Sequence, residues 1–133
     1  MIFRIPLMII PFILYNLGLA GLLGVSTSPW DHEVFSIAMM SGGNWSMTIA
    51  DLMVLAALAL LFVEIIKSTR TSNSSVADHM LSTFVFIAYL VEFLLVEGAA
   101  HSLFFVLTAI SLVDVLAGFF VSIRAAGRDI NFQ

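Results

Sequence analysis

The 133-residue sequence contains no cysteine, which excludes disulfides, Cys-ligated zinc and iron–sulfur clusters. Charge is scarce: charged residues make up 11% of the chain, against about 25% in a soluble domain. Lys and Arg number five, and no basic tract exists to attract nucleic acid or an anionic lipid surface. A Gly-rich phosphate loop, a nucleophile elbow and an HExxH zinc motif are all missing. The polar stretches are also too short to house an active site, so neither an enzyme nor a cofactor is expected. What is abundant is apolar: 61% of the residues, where soluble domains hold about 45–50%. That composition excludes a soluble or disordered chain and indicates a membrane protein.

Crossing a bilayer takes roughly 20 apolar residues of helix. Four stretches qualify, at about 5–24, 47–66, 77–96 and 102–123. The prediction is an all-α integral membrane protein, one domain over 1–133, built as a four-transmembrane-helix bundle. Pro6 suits a first helical turn, whereas Pro11 lies deeper and is expected to kink the first span. Only Glu97 to His101 join spans three and four, so these form an antiparallel hairpin. The basic residues Arg4, Lys67, Arg70, Arg124 and Arg128 all fall on one side of this map. By the positive-inside rule both termini are cytoplasmic, in a bacterial inner membrane or its equivalent. Reading span one as a cleaved signal peptide is the weaker alternative, because its apolar run exceeds the usual length of about 7–15 residues.

The first outer loop, between spans one and two, carries Trp30, Val34, Ile37 and Met40 at helical spacing. Pro29 stands at a helix start and Gly42-Gly43 at a stop. The prediction there is a short amphipathic helix at about 29–41, lying on the outer membrane surface. Trp30 and Trp45 would be its interfacial anchors. A re-entrant pore helix would bury Asp31, His32 and Glu33 at high cost.

Ionisable groups inside spans are the default functional clue. Asp114 lies near the middle of span four, on one face with Thr108, Ser111, Gly118 and Ser122. Span three carries Asp78, Ser82, Tyr89 and Glu92 along a narrow stripe, and span one offers Tyr15 and Asn16. If these faces converge, Asn16, Tyr89 and Asp114 form one buried polar layer. Asp114, Glu92, Tyr89 and Asn16 are therefore the candidate proton- or cation-binding residues. No basic residue lies inside a span, so a proton, a cation or a residue of another subunit must neutralise Asp114. Glu64 and Lys67 are spaced for an i,i+3 ion pair at the cytoplasmic end of span two. Asp51 sits in the first turn of that span, where a carboxylate favours the positive helix end.

His32 and His101 lie on the outer side near Asp31, Glu33 and Glu97, which makes them weak candidates for metal or bis-histidine haem. Their spacing matches no ligand motif. His79 belongs to the opposite end and cannot join them. The small residues Asn16, Ala20 and Gly24, with Ala56, Ala57 and Ala59, permit close helix packing within the chain or against a partner. In size and span count the chain resembles the small multidrug carriers. Those rest on an embedded Glu in the first span, where this chain has Asn16, so their mechanism does not transfer.

Two functions follow as expectations. The first is a non-enzymatic accessory or assembly subunit that binds other membrane proteins. The alternative is a homo-oligomeric proton- or cation-coupled carrier or channel centred on Asp114.

Overall fold

A computed structural model describes residues 5–21, 29–69 and 75–131. Arg4, Arg70, the side chain of Arg128, residues 22–24 of the first apolar stretch and the linker at 70–74 lie outside that description. The protein is mostly helical, and among the described residues three helices are long and apolar enough to cross a membrane. These are α2 (Ile49–Ser68), α3 (Ser75–Leu95) and α4 (Ser102–Asn131). Their apolar windows match three of the four expected spans.

The first stretch differs. Its helix, α1 (Ile9–Leu19), has eleven residues, or about 16 Å at 1.5 Å per residue, half the hydrocarbon thickness. Proline sets the start. Residues 6–8 form a turn closed by Ile9 N–H to Pro6 O and Ile10 N–H to Leu7 O, at 3.2 and 3.1 Å. Pro11 consequently falls in the first helical turn, where its missing N–H has no intrahelical acceptor to lose. The expected mid-span kink at Pro11 does not arise.

The loop between α1 and α2 corrects the prediction more sharply. Residues 29–41 do not form an amphipathic helix. A 3-10 turn (Pro29–Asp31) leads into a two-stranded antiparallel hairpin, β1 (Glu33–Ala38) and β2 (Asn44–Thr48). Val34, Phe35 and Ile37 are β-branched or aromatic and favour the pleated backbone. The Gly42-Gly43 pair supplies a turn instead of a helix stop. Gly42 takes φ 93°, Gly42 N–H donates to Met39 O and Met39 N–H to Gly43 O. A left-handed position in a short hairpin connection is the natural place for glycine. The hairpin hands directly into α2 through a capping box. Asp51 N–H donates to Thr48 Oγ1 at 3.2 Å, and Thr48 N–H returns to Asp51 Oδ2 at 3.1 Å. Asp51 thus takes the helix-start role that its position predicts.

Helix α4 is the centre of the bundle, packed against α2 on one side and α3 on the other. Its contact with α3 is antiparallel, with Phe104 beside Phe93 and Gly118 beside His79. An aromatic core of Phe12, Tyr15, Trp30, Tyr89, Phe93 and Phe104 fills the hairpin end. Segment 5–19 runs along this bundle from end to end. At one end Lys67 Nζ donates to Ile5 O at 3.0 Å. At the other Tyr15 Oη donates to Gly98 O at 2.9 Å, and the Leu19 side chain lies against Gly98.

Candidate functional site

The polar residues of the helices sort into two groups at different depths. The first surrounds a cavity of about 30 Å³ at the end of the bundle that carries Lys67. Helix α2 contributes Glu64, Lys67 and Ser68, α3 contributes Asp78, His79 and Ser82, and α4 contributes Asp114, Gly118 and Ser122. The i,i+3 pair predicted from sequence is present, with Lys67 Nζ 3.1 Å from Glu64 Oε1. The same Glu64 oxygen accepts the Leu7 N–H at 2.6 Å. An N–H freed at the start of α1 thereby finds an acceptor 57 residues away.

Asp114 is 6% exposed. Glu64 and Lys67 act on it electrostatically, and Ser82 is its side-chain hydrogen-bonding neighbour. Its Oδ2 is buried with no hydrogen-bond partner among the described residues. The Nε2 of His79 is in the same condition. The His79 ring meets Phe119 edge-on, centroids 3.9 Å apart. A pocket of this size admits one or two waters or a small ion and is far below the roughly 300–1,000 Å³ of an organic-ligand site.

The second group lies toward the hairpin end, between α1 and α3. Glu92 acts electrostatically on both Tyr15 and Tyr89, and Asn16 is its side-chain hydrogen-bonding neighbour. Glu92 Oε2 is buried and unpartnered among the described residues. Asn16 Nδ2 also donates to Phe12 O at 2.9 Å, and Tyr89 Oη donates to Met8 O at 2.7 Å. Of the four candidate residues, Glu92, Tyr89 and Asn16 are therefore brought together, and Asp114 stands apart. Ser82, not Tyr89, is the α3 residue beside Asp114. Tyr89 is seven positions further along, about 10 Å. Between the groups, Ser111 Oγ is fully buried and unpartnered among the described residues, and Thr108 Oγ1 returns to its own helix at Phe104 O.

The expected anchors separate as well. Trp45 is 43% exposed on the hairpin, edge-on to Phe35. Trp30 is 2% exposed and packs inward on Tyr15, so it is a core residue and not a lipid-facing anchor. Its correction has the same source as that of the loop helix, because the 3-10 turn folds the indole back over α1. His32 is exposed, and His101 Nδ1 accepts the Leu103 N–H at 3.0 Å, capping the start of α4. Among the described residues, no three His, Asp or Glu side chains gather as a metal site.

Sequence reasoning placed Asp114 and the Glu64–Lys67 pair but did not join them. It gave His79 no role and listed Gly118 only as a member of a polar face. The missing signal is the register between α3 and α4, which no spacing within one helix encodes. No protein-family model, curated protein or solved structure matches the chain.

Proposed function

We propose that this is a non-enzymatic membrane protein that takes up and releases a proton or small cation at the Asp114 cavity, as a homo-oligomeric carrier or channel. One observation carries the proposal: Asp114, whose buried Oδ2 has no hydrogen-bond partner among the described residues, lines a water-sized cavity together with further ionisable groups. A purely structural carboxyl satisfies both oxygens internally, because an unpaired buried polar atom is costly. Organic substrates are too large for this space.

The same proposal includes four crossings, with both termini at the cytoplasmic face of a bacterial inner membrane or its equivalent. Support for the fourth crossing comes from segment 5–19, tied to Lys67 at one end and to Gly98 at the other. Support for the orientation comes from Lys67 and Arg124, which fall at the same end of the bundle as Ile5.

An accessory or assembly subunit is the second reading. Phe62, Phe84, Leu95 and Ile123 stand 60–79% exposed on the helix surfaces, area that either lipid or a partner's helices can cover. Purification in mild detergent, followed by reconstitution, separates the two. The carrier reading expects a homo-oligomer whose proteoliposomes dissipate a proton or cation gradient, and loss of that flux in Asp114→Asn. Recovery only with a stoichiometric foreign membrane protein, together with silent proteoliposomes, would select the accessory reading.

A further inference from the structure

Two residues that line the same cavity each carry a buried polar atom with no hydrogen-bond partner among the described residues. One atom is an imidazole nitrogen, His79 Nε2 on α3, and the other a carboxyl oxygen, Asp114 Oδ2 on α4. Buried polar atoms that lack protein partners are ordinarily satisfied by ordered water. The cavity of about 30 Å³ exceeds the roughly 10–15 Å³ one water needs. The helices build a seat for the ring. A Cβ at position 118 would stand 2.6 Å from His79 Nδ1 and 2.8 Å from its Cε1, so the imidazole occupies space that only glycine leaves open. Gly118 is one helical turn beyond Asp114, and α4 thus supplies both the carboxyl and the gap that holds the imidazole near it. His79 belongs to the first turns of α3, between the more deeply buried Asp114 and the end that carries Lys67.

We propose that the ion is a proton, and that His79 exchanges it between Asp114 and the aqueous phase at the Lys67 end. This rests on the proton-or-cation reading of the Asp114 cavity. The carboxyl O–H of Asp114 gives its proton to a bridging water as that water gives one of its own to His79 Nε2. Asp114 is left as carboxylate, the water is restored, and the imidazolium releases the proton to solvent. One proton moves and no electron does. The charged groups facing the pair come from three helices: Glu64 and Lys67 on α2, Asp78 on α3 and Asp114 itself on α4. From the α1 side, backbone groups of Ile5 and Leu7 engage the Glu64–Lys67 pair. Because Glu64 and Lys67 pair with each other at 3.1 Å, Asp78 and Asp114 are left to balance an imidazolium. A metal ion fits less well. Among the described residues no three donors converge, and the Lys67 ammonium already lines the cavity.

Side-chain ¹⁵N spectroscopy of the full chain in lipid bilayers, titrated through pH, tests this without requiring transport. His32 and His101, both away from the cavity, serve as internal references. The His79 midpoint is expected to differ between wild type and Asp114→Asn by roughly 0.5 pH unit or more, with the references unmoved. Gly118→Ala, which takes the space of the ring, is expected to abolish that dependence. In proteoliposomes His79→Gln is expected to lower Asp114-dependent proton flux about tenfold or more, with partial rescue by added imidazole. A His79 midpoint indifferent to Asp114→Asn overturns the proposal, whatever the flux does. Unchanged Asp114-dependent flux in His79→Gln overturns it too. Coupled titration with no wild-type flux at all supports the proton pair and removes the carrier reading instead.

Discussion

Trp30 lies flat against Tyr15, ring centroids 4.7 Å apart and planes 6° from parallel, and its indole fills the space beside Gly18. A Cβ at 18 would stand 2.5 Å from Trp30 Cζ2, a contact with a rigid ring wedged in the core. This stack joins the loop before α2 to α1, and through the Tyr15 hydroxyl to Gly98 at the turn before α4.

The stack predicts a specific non-additivity. Gly18→Ala should cost about 1–3 kcal/mol through overpacking, and Trp30→Ala about 3–5 kcal/mol through the cavity it opens. Combined, the two should cost clearly less than their sum, because the alanine at 18 no longer meets an indole. Trp30→Phe should be mild, since the Nε1 it removes has no partner among the described residues. Unfolding in detergent measures all four variants. Strict additivity of the pair would show that Trp30 does not sit over Gly18.

A second prediction concerns the latch between Glu64 and the start of α1. Glu64→Ala removes the acceptor of the Leu7 N–H and the carboxylate partner of the Lys67 ammonium, which is 11% exposed. Removing one partner of a buried pair costs about 3–5 kcal/mol. Glu64→Gln keeps an acceptor and should cost less. Site-resolved hydrogen exchange should show the Leu7 amide protected in wild type, partly protected in the Gln variant and unprotected in the Ala variant. Equal protection in all three would place the latch elsewhere.

What the sequence made legible was set by local rules. Three of the four apolar runs became membrane-length helices, Glu64 met Lys67 at i,i+3, and Asp51 closed a helix start. Each depends on residues within one turn of one another. The misses depend on partners distant in the chain. At 29–41 the apolar residues satisfy helical spacing by coincidence, and cross-strand pairing such as Ile37 with Trp45 decides for the hairpin. Trp30 was read from its own amphipathic character, while its burial comes from α1. The polar layer of Asn16, Tyr89 and Asp114 depends on how the helix faces converge. Helix α4 continues to Asn131, and its packing register puts Ser82 beside the carboxyl instead.

Topology yields a third prediction. Reporter fusions after residues 45 and 100 should report the outer side, and those after 72 and 133 the cytoplasmic side. The fusion after residue 45 is the most informative. It depends on the crossing by segment 5–19, whose helix alone is too short. A cytoplasmic signal there would mean that this segment does not cross, and would leave three spans.

Asp114 carries the fourth prediction. A charged carboxylate at the centre of a membrane helix costs about 2.5–3.5 kcal/mol on insertion scales, so it persists only where something compensates. Asp114→Asn preserves shape and hydrogen bonding to Ser82 but cannot exchange a proton. Asp114→Leu removes both. If the group only holds helices together, Asn should assemble and resist heat almost like wild type. Leu should then lose on the order of 0.6 kcal/mol, the average for an interhelical hydrogen bond in a membrane. If it handles a proton, both variants should assemble, and both should lose pH-driven flux in proteoliposomes. The Leu variant could even gain stability, because it deletes a buried oxygen that lacks a partner among the described residues. That combination, greater heat resistance with abolished flux, is the outcome that a purely structural Asp114 cannot produce. An Asp114→Leu protein with wild-type stability and wild-type flux would instead show that the carboxyl contributes nothing to the cavity it lines.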